Sequence, residues 1–192
     1  MKYARWLIPT VALCLVAVAA RPARASLLVA LDLPTMVSRA EHVAVADVVS
    51  VQSAWDERRE RILTTIDLAV VETWKGSAAP ATHVSIVQRG GSVGDTIMTV
   101  FGMPQFSPGE RVLVFLEGGL ERARVVGMAQ GKRPMRQETT TGRWLISAPE
   151  RAGAAFIRPT PSSRSPVFET RVRPLDEVRD EIRSLVTAGK GR

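Results

Sequence analysis

The stretch Gly102–Gly119, GMPQFSPGERVLVFLEGG, decides the fold. Glycine and proline give way abruptly, and Val112–Leu116 follows as five apolar residues without a break. A half-exposed strand alternates apolar and polar residues, whereas a short unbroken apolar run marks a strand covered on both faces. This segment is therefore expected to be a central strand. Pro108-Gly109 fits the middle of a type II turn, where Pro presets its own φ and Gly accepts a positive one. The turn would set the register of the strand it launches. Phe106, just ahead of it, is expected to insert into a barrel mouth or the end of a sheet.

Working outward toward the N-terminus, HVAVADVVSVQSAW reads as a strand with Val43, Val45, Val49 and Val51 on one face. Asp47 breaks that face and needs either a bulge or a partner. The charged DERRER, residues 56–61, reads as a hairpin tip. ILTTIDLAVVETW returns with Ile62, Ile66, Leu68, Val70 and Trp74 on the buried face. THVSIVQ, residues 82–88, is a third strand with Val84 and Ile86 inward. RGGSVGD reads as a glycine loop, and DTIMTVF as a short irregular strand. A short helix is expected over residues 34–41, with Pro34 in its first turn and Thr35 or a neighbour as cap.

Toward the C-terminus, Gly118-Gly119 turns the chain. RARVVGM is expected to pair back antiparallel, AQGKRPM to turn, and RWLIS to add a last strand. Residues 148–173 are rich in Pro, Ser and Arg and read as a linker. PLDEVRDEIRSLVTAGKGR reads as an amphipathic helix with the stripe Leu175, Val178, Ile182, Leu185 and Val186. Asp176 and Glu177 favour its positive end, and Gly189 is expected to stop it. The expected class is mainly β: a small antiparallel, OB-like barrel with a short N-terminal helix and a C-terminal amphipathic helix.

Residues 1–25 have the layout of a secretory signal peptide: Lys2 and Arg5, an apolar run from Trp6 to Ala20, then Ala23-Arg24-Ala25 before Ser26. The run is short for a bilayer span, which needs about 20 residues. Four domains of the chain follow: signal peptide 1–25, barrel 26–147, linker 148–173, helix and tail 174–192. Cleavage implies export to the periplasm or medium, with no transmembrane segment left. Cys14, the single cysteine, lies in the apolar run, so the remaining chain would lack thiols, disulfides and cysteine-based zinc sites. The net charge of +7 includes the four basic residues of the signal. Without them, 22 basic residues face 19 acidic ones, a balance of +3 that points away from nucleic acid as partner.

Candidate chemistry is sparse. His42 and His83 are isolated in sequence, without the spacing of a zinc site. RGGSVGD is followed by β-like sequence, whereas a phosphate cradle feeds into a helix. No G-x-S-x-G elbow is present. Asp47, Asp67, Glu72, Asp95 and Glu110 are expected on solvated sheet faces rather than as an acid/base couple. ERARVVGMAQGKRPMR carries five basic residues but no aromatic on which a base could stack, and reads as a solvated hairpin. Trp74 and Trp144 read as core or rim residues. Trp55, beside the charged hairpin tip, is the candidate partner contact. No catalytic, metal or cofactor residue is expected.

The pieces AEHVAVADVVSVQSAW, ILTTIDLAVVETWKG, GGSVGDTIMTVFGMPQFSPGERVLVFL and VVGMAQGK together resemble a group of exported bacterial β-barrel proteins without an assigned activity. The order of strand, T-x-x-x-L-x-V-x-x-x-W-K-G and G-E-R-x-L-V-F is similar, more loosely, to the netrin/tissue-inhibitor-of-metalloproteinase barrel. That second likeness implies the OB-like fold. It does not bring the inhibitory mechanism, which uses an N-terminal cysteine where this chain would have Ser26. The functional expectation is an exported, non-enzymatic binding or envelope-associated module for a macromolecule, such as a secreted protein or envelope component. A protease-inhibitor-like module is the alternative, and a hydrolase with dispersed carboxylates the third reading.

Overall fold

The computed structural model describes residues 26–150, 152–157 and 171–190. The expected signal peptide and residues 158–170 of the expected linker lie outside the described residues. The protein is mainly β, with antiparallel sheets and two helices. Strands β1 (Ser26–Val29), β2 (His42–Trp55), β3 (Ile62–Lys75), β4 (His83–Arg89), β5 (Gly91–Val93), β6 (Thr96–Met98) and β7 (Arg111–Glu117) come first. They are followed by β8 (Arg124–Val125), β9 (Lys132–Gln137), β10 (Trp144–Ile146), β11 (Ala154–Ile157) and β12 (Arg173–Pro174). Helix α1 is Leu33–Arg39 and α2 is Leu175–Lys190.

The apolar run of β7 is buried throughout because it separates two cores. Val112, Val114 and Leu116 face one cluster with Ala44, Ala46, Val48, Ile66 and Leu68. Leu113 and Phe115 face the other, with Val43, Val45, Met36, Val178 and Ile182. Fully burying a side chain such as Phe115, at 0% exposure, contributes about 1.5–3 kcal/mol. The turn ahead of β7 forms as expected. Gly109 has φ +81°, Glu110 N–H donates to Ser107 O at 3.1 Å, and Gly109 N–H donates to Val48 O at 2.8 Å. Phe106 packs into the first cluster.

β2 pairs with β3 on one edge and with β7 on the other, and β3 pairs with β4. The inward face expected for β3 is the buried one, from Ile62 to Trp74. On β2 the single valine face does not hold. Register shifts, one of them between Val48 and Ser50, exchange the faces. Val43 and Val45 therefore pack in the second cluster, Val49 is exposed, and Val51 packs against the first. A bulge re-aims every residue beyond it because the side-chain period is two.

β7 is a fork. Its free edge takes β9 opposite Val112–Val114 and β8 opposite Leu116–Glu117. The β8 branch closes a ring: residues 120–123 hydrogen-bond to Ser85 and Val87 of β4, and Ile86 bridges Ala123 in parallel. The β9 branch continues through β10 to β12 and forms the floor on which the helices pack. The switch between branches is a 3₁₀ turn, Met128–Gly131, entered through Gly127 at φ +65°. A Cβ on Gly131 would lie 2.3 Å from Val126 O, so the residue must be glycine for the chain to cross itself here.

This corrects the reading of residues 121–136 as a solvated hairpin. Lys132 and Arg133 open a core strand and are 2% and 6% exposed. RGGSVGD and its successor form a small hairpin, β5 with β6. Within the expected linker, β11 pairs in parallel with β1. α1 is capped by Asp32, whose carboxylate accepts from Thr35 N–H at 2.8 Å, so Thr35 is the donor rather than the cap. α2 carries the expected apolar stripe, with Val178 and Ile182 buried, but it continues past Gly189 to Lys190.

Candidate functional site: an arginine-rimmed seam

The ring of strands closes at Ala123 and then opens. Below that point the second half of β4 and the β8–3₁₀ segment part, and a cleft of about 780 Å³ occupies the gap. That size lies within the roughly 300–1,000 Å³ typical of ligand sites. Its floor is apolar, with Leu28, Val100, Met103, Val125 and Met128 among the lining residues. Its rim carries Arg39, Arg89, Arg122 and Arg124 against one carboxylate, Glu117. Glu117 is shared between Arg124 at 3.6 Å and Arg39 at 4.0 Å. Arg89 and Arg122 are exposed and have no ion pair among the described residues.

Gln88 stands at the inner wall of the cleft. Its amide N–H donates to Pro104 O at 2.9 Å, while its Oε1 is buried and without a hydrogen-bond partner. A buried acceptor left unmade costs about 1–3 kcal/mol.

The sequence-derived candidates lie elsewhere. Trp55 closes β2 opposite Ile62, is 37% exposed, and does not line the cleft. Four of the five carboxylates, Asp47, Asp67, Glu72 and Glu110, are engaged by structural partners rather than by one another. Arg111 grips Asp47 through Nε and Nη2 at 2.6 and 2.7 Å, and this bidentate contact holds the Asp47 carboxyl below its ordinary range. Arg111 also lies over the Trp144 ring at 4.7 Å. Asp67 accepts from Ser85 and Ser50, which lower its carboxyl likewise. Ser85 meets Asp67 directly, with no imidazole between them, so the pair is not a serine–histidine–aspartate relay. Glu72 meets Arg179 and Arg183 of α2. Asp95 sits in the turn of the β5–β6 hairpin.

Glu110 pairs with Lys132 at 2.8 Å. Lys132 lies opposite Val114 and so points into the ring, where it donates to Gln105 O and sits 5.0 Å from the Phe106 ring. Glu150 is a further carboxylate at 3.7 Å. The group braces the turn before β7 from inside. His42 begins β2 with its Nδ1 buried against Gly76, and His83 is exposed. Among the described residues, no three or more His, Cys, Asp or Glu side chains converge to hold a metal ion.

The rim arginines were missed by sequence reasoning because they come from three separate segments. Arg89 belongs to the glycine loop as read, and Arg122 and Arg124 to the supposed hairpin. The R-x-R spacing around buried Ala123 was the one local signal, since it marks a strand with both arginines on its outer side.

Comparison with family models, with curated proteins and with solved structures found no match.

Proposed function

We propose that this chain is an exported, non-enzymatic binding module: an OB-like barrel whose open seam recognises part of a macromolecule, either a secreted protein or an envelope component. The observation that carries this reading is the seam itself, an apolar cleft with two arginines that have no anionic partner among the described residues. Such a cleft combines buried area for affinity with placed charges for specificity. The OB-like description is supported by the ring that runs β2-β3-β4, residues 120–123 and β7, in which Ala123 bridges Ile86 of β4 in parallel and β8, directly after it, pairs antiparallel with β7. Export is supported by the layout of residues 1–25.

The test is comparative affinity capture. The protein and its Arg89→Glu/Arg122→Glu variant are exposed to the native organism's envelope and secreted fractions. The expected result is a saturable partner retained by the native protein and lost by the variant at unchanged thermal stability. Equal retention by both proteins removes the seam as the site.

A further inference from the structure

The seam meets β4 in an unusual way. Side chains of a strand alternate between faces, so a cleft lying on one face is lined by residues of one parity. This one is lined by Ile86, Val87, Gln88 and Arg89 in succession, so it runs along the strand's edge. The other edge of β4 is paired with β3 as far as Arg89, opposite Leu63. On the seam edge, Ser85 uses its N–H and C=O toward residues 120–123, and Val87 N–H donates to Ala123 O at 3.3 Å. That ladder ends at Val87 N–H. Because backbone groups alternate in direction along an antiparallel strand, Val87 C=O and both backbone groups of Arg89 face the same edge and open into the cleft.

An open strand edge is a template for another strand. Here the template is flanked by an apolar floor and by Arg89 and Arg122, which have no ion pair among the described residues. An added strand would place alternate residues on the floor and on the rim. Acidic residues would meet Arg89 and Arg122, whereas basic ones would be repelled by the same groups.

We infer that the seam receives an extended acidic peptide segment of a partner protein, added as a strand along the Val87–Arg89 edge of β4. Its backbone pairs with Val87 C=O and with Arg89 N–H and C=O. Its carboxylates bind Arg89 and Arg122, and its apolar residues settle on Met103 and Met128. This inference rests on the reading of the seam as a binding site and specifies the chemistry of its ligand.

The probe is a fluorescently labelled octapeptide of alternating Glu and Val, titrated with the protein by anisotropy. Saturable binding is expected, weakened about tenfold or more when every second amide is N-methylated, since each backbone hydrogen bond contributes modestly and the two donated to Val87 C=O and Arg89 C=O are lost. The Arg89→Glu/Arg122→Glu variant should lose a similar factor at unchanged melting temperature, and the Lys-Val analogue should not bind. Equal affinity of the methylated peptide overturns strand addition. If the variant still loses that binding, the seam stands as an anion-binding site and only the mode of pairing is wrong. Displacement of the peptide by laurate at lower concentration than by unlabelled peptide would assign the cleft to an anionic amphiphile and overturn the proposal. A peptide-free dimer abolished by the same variant would assign the edge to a second copy, with the same consequence.

Discussion

Replacement of Gly109 tests the turn on which the central strand depends. The residue has φ +81°, and a Cβ built on it would meet nothing within 4 Å. The cost of a side chain there is therefore conformational, with no clash to relieve by repacking. A left-handed backbone costs a non-glycine residue roughly 1–2 kcal/mol, and a β-branched residue more. Gly109→Ala should lower stability by about that amount, or roughly 2–8 °C in melting temperature for a chain of this size. Gly109→Val should lower it further, because Val48 N–H to Glu110 O and Gly109 N–H to Val48 O, both 2.8 Å, hold the turn against β2 and prevent it from relaxing. Gly119→Ala is the control: it too has open space, but its φ is not positive. Melting followed by circular dichroism distinguishes them. If Gly109→Val melts with the native protein, or if Gly119→Ala loses as much as Gly109→Ala, the reasoning from φ is wrong.

Lys132 and Glu110 should respond asymmetrically. Glu110→Gln leaves an ammonium 2% exposed with only Glu150, at 3.7 Å, to balance it and should cost up to about 3 kcal/mol, whereas Lys132→Met leaves a carboxylate that water can reach and should cost clearly less. Urea titration of both variants measures the difference, and equal losses would refute the burial argument. The pH profile gives a further test through Asp47. Its folded pKa is depressed by the Arg111 hydrogen bonds below the ordinary value of 3.8, so the stabilisation is present above 3.8 and is lost as pH falls through the folded value. Asp47→Asn should flatten stability against pH in that acidic window and leave the slope near neutrality unchanged. An unaltered acid limb in the variant would show that the pair contributes nothing to acid denaturation.

Much of the β framework was legible in local pattern. The turn at Pro108-Gly109, the inward face of β3, the hairpin tip at 56–61 and the apolar stripe of α2 all follow from periodicity and turn chemistry, which act over a few residues. The reading failed first at β2, where a bulge changes which valines face in without leaving a mark in the alternation. It failed again at Lys132. Charge argues for exposure, yet the residue is held inside by Glu110, which reaches it from the far side of the fork at β7. The candidate site shows the same division. Arg89, Arg122 and Arg124 look like solvated charges when each is read in its own segment.

The sequence by itself determined that the chain is mainly β, that Val112–Leu116 is covered on both faces, and that a short N-terminal helix and an amphipathic C-terminal one accompany the strands. These are properties of a strand or helix taken alone, set by side-chain period and backbone preference. Tertiary structure alone decided that β7 forks, that one branch closes a ring onto β4 at Ala123, and that the ring then opens along an arginine-rimmed edge. Those outcomes depend on which backbone groups remain after distant strands have paired. Pairing between residues far apart in the chain is governed by shared cores and edges, which no local pattern records.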